Sequence, residues 1–130
     1  DDAQAELKGP WSRSSNLKPY LGTGYLHDDK RGDGECVAVF RFQVPASGRH
    51  DLRMAYSAHE TRATKVPLTI QNGEKAVELI VDQTEPLPAG EAFRSIGKVE
   101  LQQGLETTIT IRNANTDGFV ILDALQLVAE

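Results

Sequence analysis

Three histidines, a carboxylate-rich loop and a few loop aromatics are the groups in this chain whose types could support chemistry. His59-Glu60 opens like a zinc-protease motif, but position 63 is Ala63 where the second histidine would stand. No Gly-x-Ser-x-Gly elbow occurs, and Gly22-x-Gly24 lacks the third glycine of a phosphate-cradling loop. A Ser-His-Asp set assembled from distant loops has no positive sign here, so the chain reads as non-catalytic. Asp28, Asp29, Asp33 and Glu35 collect acidic oxygens within one loop. Calcium favours several such ligands, but the spacing is not that of an EF-hand, and Lys30 and Arg31 dilute the charge. Two readings stay open for this loop: a solvated turn or a structural calcium site. No cofactor is otherwise expected.

Trp11 and Tyr20 fall in a segment of poor element formers, where their rings could stack on the C–H faces of a sugar. Arg62, in the polar loop Ser57 to Thr64, and Gln83, after Asp82 at a strand end, could add directed hydrogen bonds. Trp11, Tyr20, Arg62 and Gln83 are therefore the candidate ligand-binding residues. Equally, Trp11 could plug one end of the fold, and Arg62 and Gln83 could tie loops together. Three carboxylates read as structural: Asp28, Asp117 in the turn Asn115-Thr116-Asp117-Gly118, and Asp123. Asp123 interrupts the apolar run Phe119 to Val128, and a buried carboxylate needs hydrogen bonds, a partner or a metal.

The elements that must position these groups read as strands. Apolar residues alternate in Cys36 to Val44, Arg49 to Tyr56, Lys65 to Gln71, Ala76 to Asp82 and Glu106 to Arg112, and Phe93 to Leu101 is a further strand. Asn72-Gly73 marks a hairpin, and Gln83 to Glu91 is a long loop. Pro67 suggests that its strand lies at a sheet edge, because proline cannot donate to a ladder. Phe119 to Val128 is apolar on both faces and reads as one central strand. Ala3 to Lys8 and the segment around Tyr25 add short strands, with Trp11 to Pro19 as loop between them. Eight or nine short strands without a helical period predict an antiparallel β-sandwich or barrel.

The 130 residues make one domain, 1–130, large enough for a core without disulfides. The single Cys36 cannot form an intrachain disulfide and is expected to be a core thiol. A net charge of −5 argues against nucleic acid and anionic membranes, and no run is long enough to span a bilayer. The start at Asp1-Asp2 and the end just after a core strand suggest a module cut from a longer protein.

Several phrases then fit together in order. These are Trp11, Tyr20-Leu21-Gly22-Thr23-Gly24-Tyr25-Leu26-His27-Asp28, Gly48 to Tyr56, Thr61-Arg62-Ala63-Thr64-Lys65-Val66-Pro67-Leu68, Val81-Asp82-Gln83 and Asn115 to Leu125. In this order they resemble the golvesin C-terminal-like domain, also described as a xanthan-lyase carbohydrate-binding-like domain, over nearly the whole chain. His50, Thr61 and Lys65 depart from that pattern, which has an aromatic at the first and often Asn at the other two. The resemblance implies a jelly-roll β-sandwich of the galactose-binding or carbohydrate-binding-module type, non-catalytic and appended to bacterial secreted enzymes such as polysaccharide lyases, amidases and oxidoreductases. It implies a polysaccharide or oligosaccharide as ligand, an appended catalytic domain as partner, and an extracellular, periplasmic or cell-envelope location. If Arg62 faces the ligand, a carboxylate-bearing polymer such as xanthan is the better candidate. The alternative is a structural accessory domain that binds a protein and no sugar.

Overall fold

The computed structural model describes residues 5–15 and 24–130, all of whose regular elements are strands. They are β1 (Glu6–Lys8), β2 (Ser12–Ser14), β3 (Tyr25–His27), β4 (Asp33–Phe42), β5 (Gly48–Ala55), β6 (Val66–Asn72), β7 (Lys75–Val81), β8 (Arg94–Leu101), β9 (Thr107–Ala114), β10 (Ile121–Leu122) and β11 (Ala124–Ala129). One sheet has the order β1-β4-β9-β6-β7, a second β11-β5-β8, and a third β10-β3-β2. Every strand pair in them is antiparallel. The chain is an antiparallel β-sandwich.

The period-2 alternation does what the sequence predicts. Ala38, Ile111, Leu68 and Leu79 line up across four strands of the first sheet, and Phe40, Ile109, Ile70 and Val77 form the next row. These rows meet Leu52 and Met54 of β5, Val99 and Leu101 of β8 and Leu125 of β11 in one hydrophobic core. Removing such apolar surface from water is the main favourable term for a fold of this kind. Cys36 is fully buried, and burial, helped by the charges of Asp28 and Asp33, pushes its thiol up to about 11. It is a core thiol, as its face on β4 predicts.

Three expectations need correction. The run from Phe119 is not one central strand. It splits into β10 and β11 at Asp123, and β11 lies at a sheet edge with β5 as its single neighbour among the described residues. Residues 120–125 are buried on both strand parities where the chain crosses from one sheet to another. Pro67 does not mark an edge either: β6 lies between β9 and β7. Pro67 is paired with Ile80 of β7, whereas the β9 ladder begins one residue later at Leu68, so the missing N–H interrupts no β9 pair. The edge strand beside β6 is β7, where Ile80 is 62% exposed. Finally, the segment after Trp11 contains β2, a short strand paired with β3.

Candidate functional site

The candidate residues depend on how the loops are fastened. Asp28 follows β3 and is fully buried. Its Oδ1 accepts the N–H groups of Val120 at 2.9 Å and Lys30 at 3.1 Å, and its Oδ2 accepts Asn113 Nδ2 at 3.0 Å and the Gly32 N–H at 3.5 Å. A buried carboxylate is tolerated when donors surround it in this way. Asn113 completes the knot by accepting the Cys36 N–H at 3.0 Å and donating to Asp33 at 3.3 Å. The Asp33 carboxyl is held below its usual range chiefly by the Glu35 N–H it accepts. Asn113 continues the inward parity of Thr107, Ile109 and Ile111, one residue beyond the strand expected from sequence. Among the described residues, no group of three or more His, Cys, Asp or Glu side chains is placed to hold a metal.

Asp117 links two loops. Its carboxylate accepts the Thr64 N–H at 2.8 Å and the Thr64 hydroxyl at 2.6 Å, which holds its pKa below the usual carboxylate range. Next to it, Gly118 lets the chain pass close to the Thr61-Arg62 backbone: a Cβ there would sit 2.5 Å from the Arg62 carbonyl oxygen. Because the folded-state pKa of Asp117 is depressed, its contribution to stability is present above the unfolded value and is lost as pH falls through the folded value. The urea midpoints of the native chain and Asp117→Asn are therefore expected to differ at pH 7 and to converge as pH falls below the ordinary aspartate range. A constant gap would show that the charge of Asp117 contributes nothing. Asp123 is 2% exposed at the junction of β10 and β11, inside the fold as its place on an apolar run predicts.

The candidate ligand residues are placed as follows. Tyr20 lies outside the described residues. Trp11 is half-buried against the core, and its indole N–H donates to the Val37 carbonyl at 3.2 Å, the arrangement of a plug rather than of a free platform. Arg62 is only 6% exposed. Its Nε donates to the Ser57 carbonyl at 2.8 Å, and its Nη2 donates to the Ser57 hydroxyl at 2.9 Å and the Tyr25 hydroxyl at 3.3 Å. Its guanidinium also lies 5.5 Å from the centre of the Tyr25 ring. Gln83 is fully buried. Its side-chain amide accepts the Ile121 N–H at 2.8 Å and donates to the Ile121 carbonyl at 2.9 Å. Arg62 and Gln83 do come together around the segment 119–121, through a parallel bridge from Arg62 to Phe119 and a bond from the Gln83 N–H to the Ala63 carbonyl. Trp11 is bonded elsewhere. As placed, Arg62 and Gln83 turn their polar atoms to the protein's own backbone and hydroxyls, and the surface around them is made by other residues.

The three imidazoles are likewise used locally. His27 Nδ1 accepts the Asp29 N–H at 3.0 Å, His59 Nδ1 lies 2.8 Å from the Thr61 hydroxyl, and His50 Nδ1 lies 2.9 Å from the Gly48 carbonyl. Each partner is two residues away in the chain, which makes these histidines turn and strand-end fasteners. A further fastener was not apparent from sequence: Arg94 Nη1 donates to the Tyr56 hydroxyl at 2.7 Å and pairs with Glu85 at 3.2 Å, while the Tyr56 hydroxyl donates to the Glu85 carbonyl at 2.6 Å. It anchors the long loop after β7.

The same architecture occurs in proteins of known kind. The golvesin C-terminal domain family matches residues 1–129. A xanthan lyase of Bacillus sp. (strain GL1) is 30% identical over 132 residues, a match that covers 99% of this chain and 14% of the lyase. The solved Paenibacillus xanthan lyase superposes with a TM-score of 0.86 at 30% identity, over all of this chain and 12% of that one. A family 35 carbohydrate-binding module from Clostridium thermocellum shares the fold, with a TM-score of 0.66 at 17% identity over 99% of this chain and 95% of that one. The chain spans about one seventh of the lyase it matches. With residues 1–129 matched and the same sandwich present at 30% identity inside a solved xanthan lyase, the chain belongs to the golvesin C-terminal domain family.

Proposed function

We propose that the chain is a non-catalytic carbohydrate-binding module that holds a secreted bacterial enzyme, carried on the same polypeptide, against polysaccharide. The observation that carries this reading is that its whole fold stands alone as a carbohydrate-binding module and also forms 12% of a xanthan lyase. In this reading no cofactor is needed, and the carboxylate of Asp28 accepts N–H donors from Val120, Asn113 and Lys30. With Arg62 enclosed, the expectation that rested on its facing a carboxylate-bearing polymer loses its support. Native affinity electrophoresis of the chain through gels containing a panel of soluble polysaccharides tests the proposal. Retardation in at least one gel is expected. No retardation in any gel, together with stoichiometric binding to the catalytic domain of a parent protein, would favour an accessory domain that binds protein instead.

A further inference from the structure

On the outer face of the β11-β5-β8 sheet lies a depression of about 320 Å³, framed by the loop before β8. This is within the range of small-molecule sites. Its floor is a polar line across three strands, because Gln126 of β11 pairs with Arg53 of β5, which pairs with Ser95 of β8. The last pairing depends on a register shift between Leu52 and Arg53. Leu52 faces Gly97, so an unbroken ladder would set Ile96 opposite Arg53; the shift sets Ser95 there instead. Irregularities of this kind re-aim side chains. Asp51 is 7% exposed and lies beneath the line, accepting the Ser95 hydroxyl on Oδ1 and Arg53 Nε at 2.8 Å on Oδ2. These two bonds hold its carboxyl below the usual range, with Ser95 the larger cause.

Asp51 therefore fixes Arg53 through Nε. The two terminal nitrogens of Arg53 take no protein partner among the described residues, and its side chain is 41% exposed. Their N–H groups remain as donors on the wall of the depression. Gln126 is exposed and adds an amide donor and acceptor. Phe93, half-buried, supplies an apolar wall, and Glu91 closes the rim. Paired donors, an amide and a ring in one depression match a ligand with adjacent hydroxyls and an apolar C–H face. The charge decides which kind: Asp51 cancels Arg53, Lys98 opposite Asp51 is taken by Glu130, Glu91 adds a negative charge, and the whole chain carries −5. A polyanion would be repelled.

We infer that this sheet-face depression is the module's glycan site and that it takes a neutral polysaccharide; the inference rests on the carbohydrate-binding reading above. The test compares the native chain with Gln126→Ala and Arg53→Ala by affinity electrophoresis in mannan, xylan and dextran gels, and in xanthan and polygalacturonate gels. The native chain is expected to be retarded by at least one neutral polymer and by neither carboxylate polymer. Gln126→Ala, which removes no hydrogen bond within the protein among the described residues, is expected to weaken that binding about tenfold, as loss of one hydrogen bond would. Arg53→Ala is expected to weaken it at least as much. If both variants bind a neutral polymer as the native chain does, or if only xanthan or polygalacturonate retards the native chain, this site is overturned while the module reading stands. Failure of the native chain to bind any of the five polymers overturns both.

Discussion

Replacing Gln83 by Leu is expected to cost on the order of 4 kcal/mol, because it leaves two buried backbone groups unpaired at about 1–3 kcal/mol each. The Gln83 amide acts as a strand partner for Ile121: one atom accepts the N–H and the other donates to the C=O, at 2.8 and 2.9 Å. Among the described residues β10 has β3 as its single strand neighbour, and Gln83 supplies the hydrogen bonds on its other side. Leu keeps the apolar volume and removes both bonds, so the loss isolates the polar contribution. The thermal midpoint should fall by on the order of 10 °C, with a matching fall in the urea midpoint and little change in its slope. Gln83→Glu should be no better at neutral pH, since it restores one acceptor, supplies no donor and buries a charge. Midpoints within about 0.5 kcal/mol of the native value, the range of an inconsequential surface substitution, would contradict this role.

The sandwich was legible because alternation is a strong signal wherever one face of a strand is buried. Val66, Leu68 and Ile70, and Thr107, Ile109 and Ile111, fall on the inner face as read, and Arg53 points outward. The misreadings have a common physical cause. Residues 120–125 are buried on both strand parities, and sequence cannot separate a strand flanked by two others from a chain passing between two sheets. Pro67 misled for a related reason: a proline needs only one side of its strand free at its own position, and β9 pairing begins just beyond it. The site was less legible than the fold. A polar residue in a loop can face a ligand or a backbone group, and the choice depends on which distant segment passes nearby. Gln83 meets Ile121 and Asp28 meets Val120, separations of 38 and 92 residues that no local pattern encodes. Gln126 carried a usable signal, as an uncharged polar residue within the apolar run of the last strand. Ser95 carried none, since its place opposite Arg53 depends on the register shift.

Arg62→Ala is the second large expected loss, about 3 kcal/mol, and it separates two roles that the sequence left open. The guanidinium makes three hydrogen bonds, two of them to Ser57, a residue with no exposed surface. Bonds from a charged donor contribute about 1.5–3 kcal/mol each, and the contact with the Tyr25 ring adds up to about 2 kcal/mol. Release of a buried cation from its desolvation penalty offsets part of that sum, which brings the net to about 3 kcal/mol. Arg62→Lys should recover less than half of the loss, because one ammonium cannot reproduce the fork that reaches the Ser57 carbonyl, the Ser57 hydroxyl and Tyr25 together. Urea unfolding measures the stability, and affinity electrophoresis measures glycan binding on the same samples. A structural Arg62 lowers the midpoint, while molecules that remain folded still bind. A ligand-contacting Arg62 gives the opposite pair of results, an unchanged midpoint with binding lost. In that case the glycan site would move from the β11-β5-β8 face to the loops around Ser57 and Phe119, and the preference for a neutral polymer would fall with it.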